Sequence, residues 1–500
     1  MAYEYFADQR KVNFTKFYRV LCQIAIVVLV LVTTTRLTPL PVDTGTIQMT
    51  GEGSMLRPLL LILCTLAILV ASQPFAKGRR SLRIPVSLIV ILGWCVLSVS
   101  WSATPSVALR RLIMTLMIVW CIFKSIEMLG YRHFLRLMLY ICIGLLIANY
   151  IAVGVSPRAM HQSGEAGDPL LTGAWRGILP HKNLTGPLCT FTLFLLVFGV
   201  RPLSIFVRIG LIVASAFFLL QTNSKTSIAL SVVAIAGGYM MKAYNPRMRI
   251  LVAPLIGIFA ALVAYGVDML LPAYLDNLDS STDAFTGRIQ IWRSMLRYIS
   301  DNPFFGAGFS SFWDAGASGP ISHYATEMWI LTGVAEGHNG YLDVTVQLGL
   351  IGLVLALGAI FVIPLMKLIF ELGIPDNYRA LMFAVLFFSI GVNFTETSLL
   401  ATDQFMQFVL MANIACIEDM RMASRNARRA SFLKWAQNVG HDIRLMFWSA
   451  RGRIIGDDDK AKGKGHRLIR DDEKQGTDQN QSASRLAAQR VRPRPGDTRR

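Results

Sequence analysis

Arg288 and His338 are the residues whose setting most suggests chemistry. They bracket a polar, aromatic-rich stretch between apolar runs. It opens with Gly287-Arg288-Ile289-Gln290-Ile291-Trp292, continues through Asn302-Pro303-Phe304-Phe305-Gly306-Ala307-Gly308-Phe309, and closes with Glu336-Gly337-His338-Asn339-Gly340-Tyr341-Leu342-Asp343. A neutral imidazole can take the proton of a weak nucleophile such as a hydroxyl near pH 7. A guanidinium can hold a leaving group that gains negative charge, above all a phosphate. A multispan protein gains no anchoring from about 70 non-spanning residues, so such a stretch marks a site of chemistry or recognition.

The elements that must position these residues are membrane spans. The chain has 500 residues, of which 53% are hydrophobic. Its mean hydropathy is +0.48, and the apolar residues come in blocks. Twelve blocks approach the 17–25 residues a helix needs to cross the hydrocarbon layer: roughly 18–35, 56–72, 84–101, 109–126, 135–155, 184–200, 205–220, 227–241, 250–267, 339–364, 379–397 and 404–417. Several are short, so ten to twelve is the range. The expected fold is an all-α polytopic membrane protein of about 12 transmembrane helices with a long extracytoplasmic loop, 268–337. No small-residue cleavage site follows the first block, which reads as a retained span. The seven cysteines lie in or at the ends of apolar blocks, without metal-ligand spacing, and read as apolar packing residues.

The net charge of +18 reports topology. With the amino terminus inside, the inner loops before residue 418 hold 18 of the 49 Lys and Arg, the tail holds 20 and the outer loops 11. That asymmetry follows the positive-inside rule, puts both termini in the cytoplasm and makes nucleic acid a poor partner. Three parts follow: a cytoplasmic segment 1–17, a transmembrane domain 18–417 and a basic tail 418–500. Within the tail, 425–440 suits an amphipathic basic helix on anionic lipid, and the chain after about 456 has a disordered composition.

Local signals refine the long loop. Residues 287–298 read as an amphipathic helix with Ile291, Met295 and Tyr298 on one stripe and Arg288 and Trp292 sharing a face. Asp301-Asn302-Pro303 ends it. Gly306 and Gly308 allow a tight backbone path.

At these residues the chain resembles the O-antigen ligase and polymerase superfamily, its exopolysaccharide-polymerase branch above all. The motifs are Gly-Arg-x-x-x-Trp, Asn-Pro-Phe-Phe-Gly-x-Gly, and His-Asn-Gly-Tyr-Leu followed by Gln-Leu-Gly-Leu-Ile-Gly-Leu. Trp101-Ser102-x-x-Pro105-x-x-x-Leu109-Arg110-Arg111, Trp175-Arg176-Gly177-Ile178-x-x-His181-Lys182-Asn183 and Asn393-Phe394-Thr395-Glu396-Thr397 agree with it. One departure is Ser224-Lys225-Thr226, where such proteins often carry Ser-Arg. Lysine keeps the charge and loses the bidentate fork.

The resemblance implies a glycosyltransferase of the bacterial inner membrane. It would use a polyprenyl-diphosphate-linked oligosaccharide donor at the periplasmic face, without metal or other cofactor. The expected reaction is polymerisation of repeat units during exopolysaccharide or O-antigen synthesis. The alternatives are a ligase passing polymer to lipid A core and a transporter of lipid-linked sugars. Membrane lipids, a flippase and chain-length regulator proteins are the expected partners. His338 is the candidate base, Arg288 the main diphosphate ligand, and Glu396 an orienting acid. Arg176, Lys182, Arg110, Arg111, Lys225 and Trp292 are expected at the substrate.

Each residue also has a plainer reading. His338 could cap the following span. Arg288, Arg110 and Arg111 could hold lipid headgroups. Lys225 could be structural, and the aromatics could form an interfacial belt. His161, His181 and His323 read as solvated or loop-bonding residues. A transporter would be expected to place charges near the bilayer midplane, in broken helices.

Overall fold

The computed structural model describes residues 2–35, 55–73, 84–162, 172–199, 203–245, 288–313, 319–325, 327–402 and 404–458. The expected span at 250–267, the first part of the long loop and the tail beyond 458 lie outside the described residues. The chain divides into two compact units, Met1–Arg425 and Asn426–Arg500.

In the first unit the described residues are helical, with no strand beyond one isolated bridge between Met160 and Trp175. The helices are α1 (Ala2–Thr34), α2 (Leu56–Ser72), α3 (Val86–Ser98), α4 (Pro105–Leu129), α5 (Tyr131–Val155), α6 (Lys182–Phe194), α7 (Ile205–Gln221), α8 (Lys225–Ala243), α9 (Arg288–Asp301), α10 (Met328–Gly333), α11 (Gly340–Leu357), α12 (Ile363–Phe370), α13 (Asp376–Val392) and α14 (Phe405–Asp458). Six stretches are long and apolar enough to cross a membrane: Lys16–Thr34, Pro105–Leu129, Tyr131–Val155, Lys182–Gly199, Lys225–Ala243 and Gly340–Phe370. Leu56–Ser72, Val86–Trp101 and Ile205–Gln221 are apolar but shorter. A multispan helical membrane protein stands, with six such spans among the described residues where about twelve were expected. In the second unit the described residues continue α14, and the rings of Phe432 and Trp435 lie 5.7 Å apart.

The seven cysteines are all free and buried. The core is one continuous apolar cluster drawn from α1–α6, α8 and α11–α14, with Phe134, Phe194, Phe388 and Phe408 among its largest buried side chains. A smaller cluster forms beneath α9. There Ile291, Met295 and Tyr298, the stripe expected from the sequence, pack on Phe312, Ile321, Ile330 and Val346.

Two spans depart from regular helix, and in both the loosened carbonyls find donors. After α6 the chain widens to a π turn, Leu195–Gly199, where the Arg208 guanidinium donates to the carbonyls of Leu196 and Val197 at 2.5 and 2.6 Å. The larger break is in α11. Gly349 has φ 68° and ψ −177°, so the intrahelical ladder stops there. The loop after α9 runs into the gap. Ala307 N–H donates to the Val346 carbonyl and Gly308 N–H to that of Gln347, each at 2.8 Å, while Leu350 N–H donates to Pro303. The Trp94 indole takes the Leu348 carbonyl at 3.1 Å. A Cβ at Gly349 would lie 1.9 Å from the Phe304 carbonyl oxygen, so only glycine admits the loop. Irregular backbone at membrane depth survives where protein satisfies it.

Candidate active site

Four segments meet where α6 and α11 begin and α13 ends, and each has a local reason to be there. Arg288 is the first residue of α9, whose buried stripe fixes the helix and aims its polar face the other way. His338 and Glu336 precede α11. Asn339, not His338, caps that helix: its side-chain oxygen accepts from Tyr341 and Leu342 N–H at 3.1 Å each. This leaves the His338 ring to other work. His338 itself has φ 49°, a left-handed conformation that is uncommon for a side-chain-bearing residue. Glu396 follows α13 in a tight loop. Asn393, fully buried, accepts from Ser398 and Leu399 N–H at 3.0 and 3.1 Å and thereby closes that loop. Asn183 stands in the first turn of α6.

Glu396 is the hub. Its Oε1 accepts from Arg288 at 2.9 Å and from the Asn183 amide at 2.7 Å. Its Oε2 lies 3.5 Å from His338 Nδ1, at the outer limit of a hydrogen bond. Arg288 also donates to the Thr395 carbonyl at 2.5 Å. Glu336 stands 3.7 Å from the same His338 Nδ1 and accepts from Gln404 at 2.9 Å. The side chains of Arg288 and Glu396 are 16% and 19% exposed and that of His338 33%, so the cluster is sheltered with the imidazole at its open edge.

The charges tune one another. Burial would lift the Glu396 carboxyl, but the His338 hydrogen bond and the Arg288 charge outweigh it and hold the group below its ordinary range. Burial would depress the His338 imidazole, yet the Glu396 hydrogen bond and the charges of Glu336 and Glu396 raise it above its ordinary value. Nδ1 facing a carboxylate fixes the neutral tautomer with its proton on Nδ1. Nε2 is then left as the acceptor, which is the form a base needs. Glu336, His338 and Glu396 offer ligand atoms within 4.8 Å of one another, close enough for a metal ion. The Arg288 charge on Glu396 works against a divalent cation there.

A second pair of histidines backs the cluster. His161 is buried, and its ring meets that of His181 edge-on at 4.9 Å. His161 Nε2 accepts Lys182 N–H at 3.3 Å, and His181 Nδ1 accepts Asn183 N–H at 3.2 Å, capping α6. Desolvation, helped by the His161 charge, pushes the His181 imidazole down to about 4, so it stays neutral. The expectation of loop-bonding holds for both; solvation does not hold for His161.

The remaining expected residues fall in different places. Trp292, one turn after Arg288, donates to the Gly337 carbonyl at 2.8 Å, beside His338. Lys182 opens α6 next to Asn183. Arg176 is 3% exposed, and its Nε donates to the Arg158 carbonyl at 2.8 Å. Arg111 donates to the Ser310 carbonyl at 2.8 Å. Arg110 is exposed beside an apolar cavity of about 310 Å³ between α2 and α4, lined by Leu61, Ile62, Leu109 and Met114 among others. Lys225 is exposed at the start of α8. The motifs themselves converge. Ser102 meets Ser311 at 2.5 Å and Ser98 accepts Phe309 N–H at 3.0 Å, so the Trp101-Ser102 turn braces the Asn-Pro-Phe-Phe-Gly loop. Two residues had escaped attention: Asn183 on the Glu396 carboxylate, and Asp343 beneath Gly337. The [Ser/Thr/Asn]-type cap before α11 was a signal for the first turn in which Asp343 sits.

Residues 210–357 match the family model described as O-Antigen ligase. The match includes Arg288 and His338 and ends before Glu396. The chain is also similar to the "Exopolysaccharide production protein ExoQ" of Rhizobium meliloti (strain 1021), at 26% identity over 284 residues, covering 52% of this chain. The alignment spans 60% of that relative's length. Together, the motifs, the family match and this relative support assigning the chain to the O-antigen ligase and polymerase superfamily.

Proposed function

We propose that the protein is a glycosyltransferase that joins polyprenyl-diphosphate-linked repeat units at the periplasmic face of the inner membrane, in exopolysaccharide or O-antigen synthesis. The observation that carries this reading is the Glu396 carboxylate bonded at once to Arg288, to Asn183 and toward His338. A base, its orienting acid and a cation thus share one sheltered mouth.

In this reading His338 Nε2 takes the proton of the acceptor hydroxyl as its oxygen attacks the anomeric carbon of the donor. The bond from that carbon to the diphosphate oxygen breaks, and its electron pair leaves on the diphosphate. Arg288 has five N–H donors, and its bonds to Glu396 and Thr395 occupy two of them. The others suit phosphate oxygens whose charge grows as the bond breaks, which favours the transition state over the ground state. Glu396 keeps the imidazole in the productive tautomer and stabilises the imidazolium that forms, a carboxylate–histidine division of labour used widely in hydrolases. The Lys182 charge adds to the same field. The high-energy sugar–diphosphate bond drives the transfer, so no ATP is needed.

The family match bears the word ligase, while the relative is an exopolysaccharide production protein. The acceptor separates the two. Purified protein in lipid, given only carrier-linked repeat units, is expected to make a ladder of longer products. Product that forms only once lipid A core is added makes it a ligase instead. The break at Gly349 is a feature that transporters use, but here backbone of the Asn-Pro-Phe-Phe-Gly loop fills it, which supports the enzyme.

A further inference from the structure

Asp343 lies in the first turn of α11 and is 1% exposed. A carboxylate so placed must be matched by donors, and it has three. Its Oδ1 accepts from the Trp313 indole at 2.6 Å. Its Oδ2 accepts from Gly337 N–H at 2.9 Å and from the Thr397 hydroxyl. None of the three donors is a cation. Each belongs to a segment that frames the site: Gly337 immediately precedes His338, Thr397 immediately follows Glu396, and Trp313 follows the loop that fills the break in α11.

The Gly337 peptide is held on both faces. Its N–H goes to Asp343, while its carbonyl accepts the Trp292 indole at 2.8 Å. Trp292 sits one turn from Arg288 on α9. A Cβ at Gly337 would meet the Met295 side chain at 2.6 Å and Asp343 Oδ1 at 3.1 Å, so a larger residue here would press on both. The next residue, His338, is held in its left-handed conformation. Such backbone strain persists only where the surroundings over-determine it.

We infer that Asp343 is a positioning residue: one buried carboxylate that sets the distance between His338 and Glu396 by gripping Gly337 and Thr397 together. It touches neither substrate nor the reacting atoms. Moving the two loops apart by about 1 Å would break the already long 3.5 Å contact and let the imidazole turn, a displacement that can cost about a hundredfold in rate. This inference rests on the proposed reaction for its kinetic meaning, but not for its geometry.

The test uses the full chain in lipid vesicles with Asp343→Asn, Thr397→Val and Trp313→Phe. Asparagine keeps the shape but turns an amide N–H toward donors where the carboxylate had accepted. For Asp343→Asn the turnover is expected to fall by about tenfold or more, with KM for the carrier-linked donor within about twofold of the parent. Thr397→Val and Trp313→Phe, which each remove one donor, are expected to fall less. The second readout needs no reaction: the pH dependence of hydrogen–deuterium exchange at the His338 ring carbon, followed by mass spectrometry without substrate. Around that ring stand Glu336, Glu396, Arg288 and His181, and the Asp343 charge also reaches it, so the midpoints of Thr397→Val and Trp313→Phe, which keep that charge, carry this readout. Loosening Glu396 should move the His338 midpoint to lower pH in the variants. An Asp343→Asn protein that reaches the membrane at parental level with parental turnover and an unmoved His338 midpoint overturns the inference. If that variant does not accumulate, parental values for both Thr397→Val and Trp313→Phe overturn it instead. A parent protein that makes no glycan product removes the proposed function, while the exchange midpoints still decide the role of Asp343.

Discussion

Two sets of basic side chains occupy the motif-bearing end of the helices, and they differ in what they are bonded to. Arg288 is paired with a carboxylate that also faces the only histidine at the open edge of the described cluster. Arg176 and Arg111 count among their partners the backbone carbonyls of Arg158 and Ser310, in neighbouring loops. The sequence places all three within motifs and sets Arg288 first. What the structure adds is the Glu396 carboxylate on Arg288, in a sheltered cluster with His338. The bonds of Arg176 and Arg111 to loop carbonyls help to pin those loops. Arg110 and Lys225 form a third, looser class at the exposed surface.

Substitutions should separate these classes by size of effect. Arg288→Ala is expected to lower turnover by about 10³-fold, with the protein still present in the membrane, because it removes the charge that meets the leaving diphosphate. A ladder assay in vesicles reads this directly, and parental rates would merge Arg288 with the loop-pinning arginines. Glu396→Gln is expected to cost roughly 10- to 100-fold, by releasing the imidazole from its orientation.

Glu396→Gln also makes a signed pH prediction. His338 is raised in the folded protein, so its neutral form, the active base, fills only as pH climbs through that raised value. Activity should therefore rise with pH over this range. Losing the Glu396 charge lets the imidazole fall back, so the acid limb of the pH–rate profile should move to lower pH while the plateau drops. The stability contribution runs the opposite way. The pair of protonated His338 and Glu396 stabilises most below the ordinary imidazole range, and that contribution is lost as pH rises through the raised value. A midpoint that moves upward in Glu396→Gln would show that the carboxylate does not govern His338.

Smaller effects belong to the other classes. Arg111→Ala should show mainly as lost stability, about 1 kcal/mol for its bonds to Ser310, with turnover per folded molecule little changed. Thermal unfolding in detergent checks it. Arg110→Ala and Lys225→Ala should each raise KM for the donor by no more than about fivefold, as exposed charges act weakly. A hundredfold loss at either position would move that residue into the first class.

The sequence was a good guide wherever side-chain pattern decides structure. The apolar runs among the described residues became helices, the Ile291–Met295–Tyr298 stripe became a buried face, and Asp301-Asn302-Pro303 ended α9. Arg288, Glu396 and His338, chosen from three separate motifs, lie within one hydrogen-bonded cluster. What escaped depends on long-range backbone geometry. Gly349 reads as one more glycine in an apolar run, because nothing in its neighbours announces the loop that enters beside it. Asp343 reads as an ordinary acid in a first helical turn, because two of its three donors, Trp313 and Thr397, come from distant segments. Asn183 and His161 look like polar loop residues until α6 and α13 bring them to Glu396 and Lys182. Of the roughly twelve spans expected from apolar length, six are long and apolar enough among the described residues, and Leu56–Ser72, Val86–Trp101 and Ile205–Gln221 are shorter apolar helices.

The most direct test of the central claim is the initial rate of glycan transfer by the purified protein in lipid, with saturating carrier-linked donor, for the parent and for His338→Ala. The account predicts a loss of about 10²- to 10⁴-fold at unchanged membrane abundance, the range a positioned base supplies. A His338→Ala protein that extends the glycan at the parental rate would contradict it.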